Sequence, residues 1–211
     1  MRHFGWSALV FLVLSVLLLG GLLSERRQMA IETPAYDVLS KTGNVELRQY
    51  ASYLQAVVVM EGARRDSLYR GFRVLADYIF GNNRSSTKVA MTAPVGQAPS
   101  EKIAMTAPVG AAGEGSTWRI TFTMPRAYSE ETLPRPNDER VRIERVPPRK
   151  MAAWRFSGWA TEGRVEDNRR AFMEELKAQG LSPRGAMQLA QYDVPWALPF
   201  FRRNEWLVEV P

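Results

Sequence analysis

The chain has 211 residues, of which 45% are apolar and 24% charged, with a formal net charge of +6. This is the balance of one folded domain plus an appendage, and it excludes a disordered chain. There is no cysteine, and the single histidine is His3 in the N-terminal tail. Disulfides, thiolate catalysis and zinc–thiolate centres are therefore excluded, and the folded part lacks the imidazole that Ser-His-Asp catalysis or a histidine-ligated haem requires.

Phe4 to Leu23 carries no charge over 20 positions. A helix of that length reaches about 30 Å, the thickness of a bilayer core. Leu22-Leu23-Ser24 is a poor cleavage site, so the segment reads as an uncleaved signal-anchor rather than a removed leader. The expected organisation is a transmembrane anchor over residues 1–24, a linker over 25–34 and a domain over 35–211. The expected location is single-pass membrane, with the domain exported to the periplasmic side.

From Tyr36 onward the pattern turns to strands and helices. Val45 and Leu47 alternate with Glu46 and Arg48, and Ala56 to Met60 is a β-branched run, so two strands are expected. Asp66 is placed to cap a helix whose Leu68, Phe72, Leu75 and Ile79 share one face, and Gly81-Asn82-Asn83 ends it. Lys88 to Gly96 then recurs almost unchanged as Lys102 to Gly110. Taken alone, this double motif reads as a β-hairpin, with Ile103 and Met105 on one face and Lys102, Ala104 and Thr106 on the other; nothing in it looks like acid–base or nucleophilic machinery. Trp118, Ile120, Phe122 and Met124 make a further half-buried strand.

The second half echoes the first at an offset of 96, Val141 and Ile143 answering Val45 and Leu47, and Ala152 answering Ala56. A helix with Val165, Phe172, Met173 and Leu176 apolar and Gly180 at its end follows, and then strands around Met187–Gln191 and Trp206–Val210. The expected fold is α+β: two pseudo-symmetric ββαββ-type halves forming a distorted antiparallel β-barrel flanked by two main helices, plus the N-terminal transmembrane helix. Glu166, Asp167, Glu174 and Glu175 fall on a helix surface, where ion pairing such as Glu166–Arg170 is the expected role rather than catalysis. No phosphate loop, metal cluster or basic stripe interleaved with aromatics is present, so neither catalysis nor a nucleic-acid partner is expected. The loop Val194-Pro195-Trp196-Ala197-Leu198-Pro199-Phe200-Phe201 either covers one end of the fold or docks a protein partner, whose identity the sequence does not give.

The repeated K-[VI]-A-M-T-A-P-V stretch resembles the signature of the SOUL haem-binding family. So do Asp77-Tyr78-Ile79-Phe80-Gly81-Asn82-Asn83, Thr132-Leu133-Pro134-Arg135-Pro136-Asn137-Asp138, and the ending from Gln191-Tyr192-Asp193 to Arg202-Arg203-Asn204-Glu205. The resemblance runs in order over Pro34 to Pro211 and suggests a membrane-anchored, bacterial-type member. It implies an apolar groove beside the first helix that holds haem or a related tetrapyrrole, for buffering, transfer or sensing. The cofactor-binding positions it implies are Leu68, Phe72, Arg73, Leu75, Ala76 and Ile79, with Arg73 reaching a propionate; Met91 and Met105 of the double motif are added as candidates that either line the groove or fill the core. The haem would have no His or Cys axial ligand. Two alternatives stand beside it: an effector-type domain for another flat amphipathic small molecule, and an interaction module tethered to the membrane through residues 4–23.

Overall fold

The computed structural model of the chain describes residues 31–85, 100–193 and 197–211, almost all of them within the compact unit Thr33–Pro211. Three strands, β1 (Tyr36–Thr42), β2 (Val45–Tyr50) and β3 (Tyr53–Glu61), lead into helix α1 (Arg64–Phe80). After α1 come β4 (Asn83–Arg84), β5 (Val109–Glu114), β6 (Thr117–Thr123), β7 (Arg135–Pro136), β8 (Arg142–Val146) and β9 (Arg149–Phe156). Helix α2 (Glu162–Ala178), β10 (Arg184–Gln191), a short 3-10 turn (Pro199–Phe201) and β11 (Asn204–Glu209) complete the chain.

Nine strands form one antiparallel sheet in the order β1-β2-β9-β11-β10-β5-β6-β3-β8, and β4 pairs with β7 apart from it. The two halves exchange their first strands. β2 pairs with β9 through Leu47 opposite Ala152, and β8 pairs with β3 through Ile143 opposite Ala56. Ala56 and Ala152 are both fully buried; each is flanked by strands on both sides, where a small side chain suits the crowded centre of a sheet.

Helix α1 packs on β3 and β6, and α2 on β2, β9 and β11. Two cores result on that side of the sheet, one around Leu75, Tyr78, Ile79, Ile120 and Phe122 and one around Val165, Phe172, Leu176, Leu189 and Val208. Tyr50, Met151, Ala153, Ala190 and Leu207 form a third, helix-free cluster. Strand alternation explains the division: Trp206 and Val208 go to the α2 core, whereas Leu207 goes to the third cluster.

Three expectations are corrected. The fold is mostly sheet, and the sheet is a curled half-barrel rather than a barrel, because β1 and β8 remain unpaired edges. The transmembrane helix, and with it the signal-anchor, the membrane partner and the single-pass exported location, is not supported: no helix among the described residues is long and apolar enough to cross a membrane. Both helices have 17 residues and carry charges along their length, and 17 residues rise only about 26 Å. Residues 4–23 lie outside the described residues. The hairpin expected from the double motif is corrected in its second arm: residues 102–108 form no strand, and β5 begins only at Val109. Ile103 is buried whereas Met105 is 43% exposed, so the two do not share one burial environment.

Local signals were closer. Gly81 ends α1 at φ +128°, and Gly180 follows α2 at φ +68°, both in the backbone region that favours glycine. Thr161, not named from the sequence, caps α2 by accepting a hydrogen bond from the Arg164 N–H. Glu166 pairs with Arg169 rather than Arg170, and Arg170 pairs with Asp167, both three residues apart.

Candidate functional site

Helix α1 presents two faces. Ser67, Gly71, Leu75, Tyr78 and Ile79 are buried against the sheet. Gly71 permits this close approach: a Cβ there would lie 2.7 Å from Ile120 Cδ1, nearer than packed carbons tolerate. Tyr78 anchors the far end by donating its hydroxyl hydrogen bond to the Pro134 carbonyl at 2.7 Å.

The candidate positions divide between these faces. Leu75 and Ile79 lie inside the core, at 0% and 1% exposure. Leu68, Phe72 and Ala76 sit half-buried at its flank, with the Phe72 ring edge-on to Phe122 at 5.4 Å between centroids. Arg73 is exposed and its guanidinium lies 5.9 Å from the Tyr69 ring centre. The Ile103 N–H donates to the Ile79 carbonyl at 2.9 Å, so the second copy of the double motif, with Met105, runs past the end of α1. Met91 lies outside the described residues.

The helix leaves a second apolar stripe in solvent. Tyr69 is 65% exposed and Phe80 59%. With Arg73 and Ala76 they fall at intervals of four, three and four, one continuous helix face. Sequence reasoning took the face one position earlier, because Leu68, Phe72, Leu75 and Ile79 are the stronger hydrophobes. The same spacing rule applied to residue 69 finds the exposed stripe.

The helix-free side of the sheet holds a charged cluster. The Arg48 Nη1 and Nη2 donate to Glu205 Oε2 and Oε1 at 2.7 and 3.0 Å. Arg203 Nε donates to Glu205 Oε1 at 3.0 Å, and the Tyr192 hydroxyl to Oε2 at 2.8 Å. Burial pushes the Glu205 carboxyl up, but the hydrogen bonds and charge of Arg48, then those of Arg203, outweigh it and hold the group below its ordinary value. Burial, reinforced by the Glu205 charge, raises the Tyr192 phenol well above its ordinary value. Every oxygen of this carboxylate is used, so the cluster joins β2 to β11 and leaves no lone pair for a ligand. Among the described residues no group of three or more His, Cys, Asp or Glu is placed to hold a metal ion.

Two comparisons with known proteins agree with this architecture. The family model described as SOUL heme-binding protein matches residues 31–209. The solved structure of the EcmrR C-terminal domain is similar in fold, with a TM-score of 0.55 at 8% identity, over 83% of this chain and 98% of that one. EcmrR in its complex with DNA gives 0.57 at 8% identity, over 97% and 68%, and a structure titled a hydrolase from Listeria innocua gives 0.51 at 10%, over 82% and 94%. At these identities the likeness is one of fold alone. No curated protein matches the sequence.

Proposed function

The chain belongs to the SOUL heme-binding protein family, and from that membership we propose that it binds haem or a related tetrapyrrole on the exposed side of α1, for buffering, transfer or sensing rather than catalysis. The observation that carries the placement is the pair of solvent-facing aromatics Tyr69 and Phe80, with the half-buried Ala76 between them and Arg73 on the same face. An apolar helix face with one cation fits an amphipathic macrocycle, whose body seeks cover from water and whose propionates seek a positive partner.

The residues present fit such a group. Phe80 and Ala76 supply apolar cover, and the half-buried Leu68 and Phe72 extend it toward the core flank. Arg73 makes no ion pair with a described residue and is available to a propionate. With no histidine in the domain and no cysteine in the chain, Tyr69 provides a phenol oxygen and Met105 a thioether as the side chains open to iron. Bound haem would contribute a redox-active iron; the chain's own part is apolar cover for one side of the macrocycle and charge pairing at Arg73.

Titrating the full chain with haemin and following the Soret band tests this. A saturable one-to-one curve with a shifted band is expected, weakened about tenfold by Arg73→Ala and by Phe80→Ala, each worth about one buried contact or charged hydrogen bond. Tyr69→Phe is expected to move the band itself. A titration that never saturates, or one unchanged by all three substitutions, overturns the proposal.

A further inference from the structure

Among the described residues, the two helices leave the middle of the sheet bare. α1 sits on β3 and β6 and α2 on β2, β9 and β11, while β5 and β10 lie side by side at the centre of the strand order. There the chain uses small residues: Ala111, Ala112 and Gly113 on β5, Gly185 and Ala186 on β10. Without large side chains to fill the gap, a groove of about 580 Å³ remains between α1's first turn and α2. That volume is within the range of small-molecule sites, about 300–1,000 Å³.

Its lining is largely apolar, with one open cation. Trp118, Trp206, Val165, Met173, Met187 and Leu189 contribute the apolar surface. Both indole N–H groups are already committed, Trp118 to the Gly62 carbonyl at 3.2 Å and Trp206 to the Val165 carbonyl at 3.0 Å, so the rings offer the groove their apolar carbons. Four charged residues also line it. Arg169 is held by Glu166 through two hydrogen bonds of 2.7 and 2.9 Å. Arg64 makes no hydrogen bond or ion pair with a described residue; its guanidinium lies 5.9 Å from the Trp118 ring centre. Glu162 is the charged neighbour that favours the Arg64 cation, and desolvation outweighs it, leaving the guanidinium below its ordinary pKa.

We propose that this groove is a second ligand site, separate from the α1 stripe, and that its ligand is a small planar apolar monocarboxylate whose charge pairs with Arg64. One open cation accepts one carboxylate, and the Trp and Met side chains accept a flat apolar body. A dicarboxylate would meet Glu162 and Glu166 at the rim without a second open partner.

Naphthoate, with naphthylmethanol as its neutral isostere, tests the site on the full chain. Nuclear magnetic resonance follows the Trp118 and Trp206 indole N–H signals, and calorimetry gives affinities. Saturable naphthoate binding that moves both signals is expected. Arg64→Gln should weaken naphthoate about tenfold and naphthylmethanol less than about twofold, and Arg64→Lys should recover part of the loss. Met173→Trp, at an exposed position on α2, should weaken both probes by filling the groove. Absence of saturation, shifts confined to residues around Tyr69 and Phe80, or equal loss of both probes in Arg64→Gln overturns the proposal. Haemin affinity should be unchanged in Arg64→Gln, which separates failure of this site from failure of the α1 site.

Discussion

Arg48 and Glu205 meet inside the helix-free side of the sheet as a two-fold hydrogen-bonded ion pair, with the residues 2% and 0% exposed. They stand 157 positions apart, on β2 and β11, which are not neighbours but both flank β9. The pair therefore spans β9 from one side to the other and ties the two halves of the chain together. Such a pair gains Coulomb energy in a low dielectric but has already lost its hydration, so its intact value is modest and its broken value large.

Removing one partner should accordingly cost far more than removing both. Glu205→Ala leaves the Arg48 and Arg203 guanidiniums without their shared carboxylate and is expected to destabilise by about 3–5 kcal/mol. This corresponds to a fall in Tm of roughly 10 °C for a domain of this size. The paired replacement Arg48→Met with Glu205→Leu should lose markedly less than either single change to alanine. Thermal melts followed by circular dichroism check this; equal losses in the single and paired variants would show that the ion pair is not the source of the effect.

Acid should expose the same pair. The Glu205 carboxyl is held below its ordinary value of 4.5 by Arg48 and Arg203 despite its burial. The unfolded chain therefore takes up this proton first as pH falls. The stability contributed is whole above about pH 4.5, and it is lost as pH descends through the lower folded-state value. Wild type should lose Tm more steeply than Glu205→Gln between about pH 5 and pH 2. Parallel curves for the two proteins would place the acid sensitivity elsewhere, for instance at Glu46 or Glu144, which arginines also hold below their ordinary values despite burial.

The sequence made this cluster hard to see. Arg48 and Glu46 alternate with Val45 and Leu47, and alternation of that kind ordinarily means one wet face. Here the sheet curls, and its helix-free side buries Tyr50, Met151 and Leu207 beside Arg48. Only contacts between distant strands reveal that the polar face is also covered. By contrast Gly81, Gly180 and the apolar face of α2 were legible because they depend on neighbours within one turn. Met173 shows the limit of that rule: it lies beside Phe172 in sequence yet is 38% exposed at the inter-helix groove. At the α1 site, Leu75 and Ile79 drew attention because they are hydrophobic, and they are hydrophobic because they are core.

Alkali should act through the phenols. Burial pushes Tyr50 and Tyr128 up to about 12, with the Arg48 charge partly opposing it at Tyr50 and the Glu101 hydrogen bond reinforcing it at Tyr128. Burial raises Tyr78 and Tyr192 as well. Because folded-state values exceed unfolded ones, the stability contributed is whole below about pH 10 and lost as pH rises toward the folded values. Of the seven tyrosines, no more than three should ionise before the chain unfolds. Phenolate absorbance followed with circular dichroism checks the order; ionisation of four or more with native dichroism would contradict it.

Gly71→Ala sets two effects against each other. Alanine should favour the helix by about 1 kcal/mol over glycine. Its Cβ, however, would lie 2.7 Å from Ile120 Cδ1 and 2.9 Å from Cγ1, and crowding of a packed core costs about 1–3 kcal/mol. The clash should win, with a net loss of roughly 1 kcal/mol. Adding Ile120→Val, which deletes the clashing Cδ1, should recover part of the loss in urea melts; a stabilised Gly71→Ala would mean that α1 shifts on the sheet at little cost.

Leu75→Ala and Arg73→Ala should separate the core of α1 from its binding face. Leu75 is fully buried, and its truncation is expected to cost about 2–5 kcal/mol through lost burial and a cavity. Because its side chain lies beneath the helix, haemin affinity measured well below the melting temperature should change by less than about twofold. Arg73 is exposed, and its guanidinium lies 5.9 Å from the Tyr69 ring centre. Its loss should change stability by less than about 0.5 kcal/mol while weakening haemin about tenfold. Should Leu75→Ala weaken haemin as strongly as Arg73→Ala without unfolding the chain, the macrocycle enters between α1 and the sheet, and the exposed face of Tyr69 and Phe80 is not where it rests.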